Sequence, residues 1–259
     1  MDLATIIGIV LAVFSLLFSV VIEGGRLVSL VNVPAAIIVF GGTLGATMTC
    51  FRLKDFMRLP VWLRVAVKEK NTDSSEIIRT IVELAEMARR EGILKLEHML
   101  EVLENGFLRQ GVTLVVDGTD YEITKTILKT ELELMQERHL TCIKFFEAAG
   151  GYAPTMGIIG TVMGLVHVLG QLESGNLGQA IATAFIATFY GVSSANIFWL
   201  PISSKLKVRS NQESIAREII IEGVLSIQAG ESPRIIEDRL KSFLPPVDRN
   251  KSDEQVVTV

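Results

Sequence analysis

Thr161 and Thr188 are the side chains here with the chemistry to touch a passing ion, because each puts a hydroxyl oxygen at mid-depth in a long apolar segment. The alternative role of each hydroxyl is a back-bond to the helix carbonyl four residues earlier. What the same segments lack is as informative. Residues 3–22, 33–51, 148–170 and 180–200 contain no Asp, Glu, Lys or Arg, and an ionisable group inside hydrocarbon is the usual mark of an ion or proton path. A cation entering hydrocarbon must exchange its hydration for other ligands, most often a carboxylate. Either this chain carries no ion, or a partner helix brings the carboxylate.

Small residues surround both threonines. Gly150, Pro154, Gly157, Thr161 and Gly164 recur every three or four positions in the third segment, as do Ala180, Ala184, Thr188, Gly191 and Ala195 in the fourth. Gly160 with Gly164, and Gly41 with Gly45, form GxxxG pairs. Such stripes let helices approach closely in lipid, where burying apolar surface gives no drive for association. They fit packing within one bundle, and they also fit two facing stripes that line a path. Pro154 lies near the start of the third segment and Pro201 at the end of the fourth. Each removes a backbone donor and can act as a hinge; a plain helix end explains Pro201 equally well.

Outside the segments, Arg89, Arg90 and Glu97 form a charged group. On an unbroken helix Arg90 and Glu97 share a face at a spacing of about 10 Å. That is too far for a pair and leaves each to meet a partner's charge. Ordinary solvated surface is the alternative. Nothing reads as a catalytic centre. Cys50 and Cys142 stand apart, as packing thiols. His98, His139 and His167 are scattered, and neither a phosphate-cradling GxxxxGK nor a zinc-binding HExxH is present. A net charge of -4 argues against nucleic acid. We therefore expect no enzyme, no metal and no cofactor.

The elements that must position these residues are membrane spans. The chain is 49% hydrophobic, with a mean hydropathy of +0.43, more apolar than a soluble domain of this size. Each of the four segments approaches the ~20 residues that a helix needs to cross a bilayer. The first lacks a basic leader and a small-x-small cleavage site, so it reads as a retained span rather than a signal peptide. Lys and Arg number fifteen in 52–147 and nine in 203–259, against one in 23–32 and none in 171–179. The positive-inside tendency then puts the two basic regions and both termini in the cytosol.

The expected architecture is an all-α membrane protein. Spans 1 and 2 occupy 1–51, a cytosolic helical domain 52–147, spans 3 and 4 148–202, cytosolic C-terminal helices 203–244, and a disordered polar tail 245–259. Within the cytosolic part, 53–69 suits a helix at the lipid headgroups, with Trp62 and its arginine neighbours as anchors. Residues 71–74 look like a helix start, the run from there to Arg90 is amphipathic, and Gly92 ends or bends it. A second run covers 93–109, and turn signals fill 111–120. Residues 121–146 lead without a breaker into the third span. Further amphipathic runs cover 205–228 and 233–243.

Five stretches carry a resemblance: ARREGILKLE (88–97), VDGTD (116–120), GGYAPTMGIIGTVMGL (150–165), FWLPISSKLK (198–207) and IIEGVLSIQAGESPRIIEDRL (220–240). Over nearly its whole length the chain resembles MotA, the family of flagellar stator subunits of the bacterial inner membrane. The resemblance implies a ring, a pentamer, around the helices of a MotB-type dimer that supplies the ion-binding aspartate and anchors to peptidoglycan. It implies torque on the rotor protein FliG through Arg89 or Arg90 and Glu97, conformational roles for Pro154 and Pro201, and an ion-path role for Thr188. Sodium-type members of the family resemble this chain in having threonine seven residues after the third-span proline, here Thr161, where several proton-type members have alanine. A hydroxyl is a hard ligand suited to Na⁺, which favours Na⁺ over H⁺. The alternative is an energising subunit of outer-membrane transport resembling ExbB or TolQ; those relatives usually have three spans.

Overall fold

A computed structural model of the chain describes residues 3–67, 73–170, 177–246 and 249. Its helices are α1 (Leu3–Ile22), α2 (Val33–Cys50), α3 (Leu53–Phe56), α4 (Leu59–Val67), α5 (Ser74–Glu91), α6 (Gly106–Val116), α7 (Tyr121–Leu169), α8 (Leu177–Ser194), α9 (Leu200–Gln228) and α10 (Pro233–Lys241). No strand occurs among the described residues. The helices α1, α2 and α7 and the run Ile181–Gln228 are long and apolar enough to cross a membrane. Two compact units emerge: Met1–Lys70 with His139–Val208, and Asn71–Arg138 with Arg209–Val259. Residues 52–67, assigned from sequence to the cytosolic domain, pack in the first unit. Of the expected disordered tail, 245–259, all but Pro245, Pro246 and Arg249 lies outside the described residues, as do 171–176 of the loop between spans 3 and 4.

In the first unit, α1 buries no residue within the chain; its apolar side chains face outward, as suits lipid. The helix α2 starts at an Asn32 cap, whose side chain accepts from the Ala35 N–H at 3.0 Å, and contains a π turn at Ile37–Gly41. Where α2 meets α8, Ala35, Val39 and Ala187 form a small buried cluster with Tyr190 against it. The Tyr190 hydroxyl donates to the Leu30 carbonyl and accepts from the Asn32 N–H at 3.1 Å, which fixes the loop before α2. A larger aromatic cluster gathers around Phe145, which is fully buried. Phe51, Phe56, Trp62 and Phe146 all have ring centroids within 6.1 Å of it.

The second unit is built as a water-soluble helical domain is. Asp73 caps α5, accepting from the Ser75 N–H at 2.9 Å; residues 71 and 72 of the expected start lie outside the described residues. Ile77, Ile78, Ile81, Leu84 and Ala85 line the buried face of α5, the 3.6-residue period that makes it amphipathic. Gly92, at φ +91°, ends it, in a conformation that a side chain would strain. The run 93–109 is not one helix. A 3₁₀ segment covers Ile93–Met99, and α6 begins only at Gly106, where Asn105 accepts from the N–H groups of Phe107 and Leu108. The turn expected across 111–120 contracts to Asp117–Gly118, because Phe107, Leu108, Gly111, Val112 and Val115 keep helical period and are buried.

As expected, 121–146 runs unbroken into the third span. Arg217 donates to Glu131 at 3.1 Å and Glu213 at 3.3 Å and lies over the Phe107 ring at 4.5 Å. Arg239 of α10 donates to Glu231 at 2.9 Å, Glu222 at 3.1 Å and the Ser226 hydroxyl at 3.0 Å. Its hydrogen bond to Glu231 raises the guanidinium pKa, with some desolvation opposing and Glu222 reinforcing.

Candidate functional site

The small-residue stripes of spans 3 and 4 face each other directly. A Cβ placed on Gly157 would sit 2.8 Å from the Ala187 carbonyl oxygen and 3.0 Å from the Thr188 Cα; on Gly160 or Gly164 it would meet the Cβ of Ala187 or Ala184 at 2.7 Å. On Gly191 it would collide with the Ala153 carbonyl oxygen and stand 3.1 Å from the Gly157 Cα. The backbones of α7 and α8 are therefore nearly in contact, the close approach that GxxxG spacing permits. The side chain of Ala180 lies outside the described residues.

That approach brings Thr161 and Thr188 together. Their hydroxyl oxygens are 2.6 Å apart. The Thr161 hydroxyl also reaches the carbonyls of Gly157 and Ala184, each at 3.1 Å, and Thr188 reaches Gly157 at 3.3 Å. The back-bond weighed from sequence for Thr161 is thus one of three contacts, and the threonine-to-threonine bond across the helices is the shortest. Two hydroxyls own two protons, whereas four neutral oxygens crowd this point. One proton fills the bond between the two threonines and the other is left for a carbonyl, so lone pairs exceed donors and the cluster can turn oxygen toward a positive guest. Thr161 is buried and Thr188 half-buried.

The two prolines lie at either side of a second close contact. Pro154 sits inside α7 and leaves the carbonyl four residues earlier, on Gly150, without its helical donor. A Cβ at Gly150 would meet Leu200 at 2.5 Å and the Trp199 Cβ at 3.4 Å, and Leu200 directly precedes Pro201. The plain helix end considered for Pro201 is not what forms. The chain continues as α9 after a π turn at Ala195–Trp199, with the Leu200 N–H bonded to the Ala195 carbonyl. Proline cannot donate, and the wider turn absorbs the mismatch. One turn further on, the buried Ser203 hydroxyl donates to the Ile143 carbonyl at 3.1 Å.

In the second unit, Arg89 and Arg90 occupy the last turn of α5 and Glu97 the 3₁₀ segment; all three are exposed. Because α5 stops at Glu91, Arg90 and Glu97 do not share one helix face. Arg90 is 3.6 Å from Glu86, with both side chains more than half exposed, a pairing worth little in water. Arg89 and Glu97 make no ion pair among the described residues. Leu94, 74% exposed, and Val102, 70% exposed, flank the group. Sequence reading missed both; their one signal is that neither has a place in an amphipathic period.

Known proteins agree with this architecture. Residues 99–219 match the MotA/TolQ/ExbB proton channel family. Motility protein A of Bacillus subtilis is 39% identical over 98% of this chain and 95% of its own length. The chain belongs to the Motility protein A family. Within that family, Motility protein A of Borreliella burgdorferi is 37% identical over 99% of both chains, and the chemotaxis protein PomA of Vibrio alginolyticus is 36% identical over 94% of this chain and 96% of its own. The fold superimposes on a chain of the flagellar MotAB stator complex from Bacillus subtilis with a TM-score of 0.89 at 39% identity, covering 95% of this chain and 98% of that one. For C. jejuni MotAB the TM-score is 0.90 at 31% identity, covering 95% and 97%. Membership of Motility protein A makes this chain a membrane protein of the flagellar stator.

Proposed function

We propose that the chain forms, with a MotB-type dimer, an ion-conducting complex that turns ion flow into torque on the rotor, and that the ion is Na⁺. The observation that supports this best is the four-oxygen cluster of Thr161, Thr188, Gly157 and Ala184 in a bundle whose spans carry no Asp, Glu, Lys or Arg. Neutral oxygens can help a cation shed water but cannot balance its charge in hydrocarbon. The counter-charge then comes from the partner's aspartate. The solved relatives are MotAB complexes, which fits such a partner. In this reading five copies ring the partner's two helices, and both termini face the cytosol. The Arg89, Arg90 and Glu97 group pushes on FliG, with Leu94 and Val102 adding apolar contact. Pro154 and Pro201 are the hinges that pass motion along the spans. The matched family is described as a proton channel; the preference for Na⁺ rests on the hard hydroxyl of Thr161.

The cycle is electrostatic. Ion binding neutralises the partner's aspartate, which lets the apolar ring slide past it. Release to the cytosol restores the charge and holds the next register. Each charge crossing supplies about 2.3 kcal/mol per 100 mV. Swimming speed against external sodium at fixed membrane potential tests the ion. Speed is expected to rise with sodium and level off, and Thr161→Ala to shift the curve to higher sodium. A speed indifferent to sodium in both proteins overturns the assignment. Arg90→Glu is expected to stop swimming while the detergent-extracted complex stays assembled; loss of assembly would refute a contact role.

A further inference from the structure

The indole N–H of Trp199 is buried and has no hydrogen-bond partner among the described residues; the residue as a whole is only 6% exposed. A buried indole donor usually finds an acceptor. An acceptor in the same want stands beside it. Pro154 has no N–H to give, so the Gly150 carbonyl is short of the helical donor that any other residue at 154 would supply. Gly150 is itself buried, and a Cβ built on it would stand 3.4 Å from the Trp199 Cβ. Two nearby hydroxyls are engaged elsewhere: Thr155 donates to the Tyr152 carbonyl and Ser203 to that of Ile143. In hydrocarbon, a backbone group freed by proline is costly until something re-satisfies it.

Donor and acceptor do not meet because they point opposite ways along α7. The Trp199 ring lies 6.1 Å from that of Phe146, one turn before Gly150, whereas the Gly150 carbonyl points onward, toward Pro154. Two features allow the ring to change sides. Trp199 closes the π turn Ala195–Trp199, a break in regular pitch of the kind that gathers at functional sites. A helical tryptophan also has two rotamers open to it, with χ1 at about 180° or about −60°. The length of an indole and a hydrogen bond of about 2.9 Å together span the gap to the Gly150 carbonyl once the ring swings from Phe146 toward Pro154. Glycine at 150 is what permits this close approach, since a Cβ there would meet Leu200 at 2.5 Å.

We propose that Trp199 is a positioning residue for the hinge at Pro154: when the hinge bends, the indole N–H donates to the Gly150 carbonyl and holds the bent form. In the structure this latch is open, with donor and acceptor both unmet. Closing it makes a hydrogen bond and gives up the Phe146 contact, and that offset keeps the two forms close in free energy, as a working switch requires. The proposal rests on the reading of Pro154 as a hinge; it does not depend on the coupling ion or the rotor contact.

The test uses the full-length stator complex and reads the donor directly. In nanodiscs, with Trp62→Phe so that Trp199 is the sole tryptophan of this chain, ultraviolet resonance Raman reports whether the indole N–H is hydrogen-bonded; the spectrum of Trp62→Phe with Trp199→Phe is subtracted. Two populations are expected, free and bonded. The bonded one should vanish in Pro154→Ala, where a backbone N–H at 154 occupies the Gly150 carbonyl. A wholly free N–H, or a bonded population that Pro154→Ala leaves unchanged (a bond to water or to another carbonyl), overturns the proposal. Swimming is the second readout and needs no change at Trp62. Trp199→Phe removes the donor but also leaves space, so it is paired with benzothienylalanine at 199, whose sulfur replaces the N–H in a ring of the same shape. Motor speed at high load is expected to fall by up to about fivefold in both, the shift that one net hydrogen bond makes in a two-state balance, while the benzothienyl complex keeps its melting temperature. Normal speed with benzothienylalanine, beside a slowed Pro154→Ala, overturns the role of Trp199 alone. Normal speed in Pro154→Ala overturns the hinge reading beneath it.

Discussion

The first unit holds its helices together through backbones that nearly touch, whereas the second holds them through large aliphatic side chains and ion clusters. Glycine shows the difference at matched positions. Gly157 and Gly191 face carbonyl oxygens and Cα atoms of the neighbouring span, which cannot give way. Gly111 faces the Val224 methyls from 2.9 Å, and Gly223 faces Ile81 from 2.6 Å and Leu240 at 3.3 Å, all side-chain ends. The contrast follows from solvent. In lipid a leucine gains nothing by leaving its surroundings, so dispersion and shared hydrogen bonds between close backbones must hold helices together. In water, burial of Ile81, Leu84, Leu96, Leu108, Leu128 and Ile219 supplies the drive, and tight approach is secondary.

Substitutions can break or sharpen that contrast. The largest effect belongs to Gly191→Ala, whose new methyl has nowhere to go but into the Ala153 carbonyl. We expect about 3 kcal/mol of overpacking, separation of the Thr161–Thr188 pair and complete loss of swimming. Swimming at normal speed would show that spans 3 and 4 are not held by contact. Arg217→Ala comes next. It strands Glu131 and Glu213 beside an arginine position only 18% exposed, at a cost of about 2 kcal/mol, read as a lower melting temperature of the purified complex. Adding Glu131→Gln is expected to recover part of the loss, as paired groups are not additive. Gly223→Ala is the mildest. The methyl meets the Cγ2 of the fully buried Ile81 at 2.6 Å, a stiff β-branched neighbour, so repacking offsets the gain of about 1 kcal/mol in helix propensity and the melting temperature should fall by less than in Arg217→Ala. A loss as large as that at Gly191 would erase the distinction between the units.

The same contrast explains what was legible in the sequence. Spans were plain, because about 20 residues free of charge have few other uses. Facing small stripes were visible as periodicity, but the 2.6 Å contact of Thr161 with Thr188 was not. A period reports which residues share a face, not how two helices 27 residues apart are rotated and raised against each other. Asn105-Gly106 resembled the middle of a run, and only the cap geometry separates the 3₁₀ segment from α6. Trp62 suggested an interfacial anchor by type, and the Phe145 cluster claimed it instead. Pro201 left a hinge and a terminus equally open, because a one-residue widening of the helix leaves no mark on hydropathy.

That widening at Ala195–Trp199 has a consequence for how such a chain can diverge. A loop absorbs an insertion or a deletion; a helix does not, since each residue gained or lost turns everything beyond it by about 100°. Here the surplus residue is already spent, and it sets the phase in which Trp199, Ile202 and Leu206 enter their shared core. Deleting Asn196 would let the turn relax to ordinary pitch with those three side chains close to their present phase, whereas a deletion in the regular turns beyond it would swing the following side chains off their partners. A one-residue deletion is therefore absorbed more readily at this turn than anywhere else along the same helix.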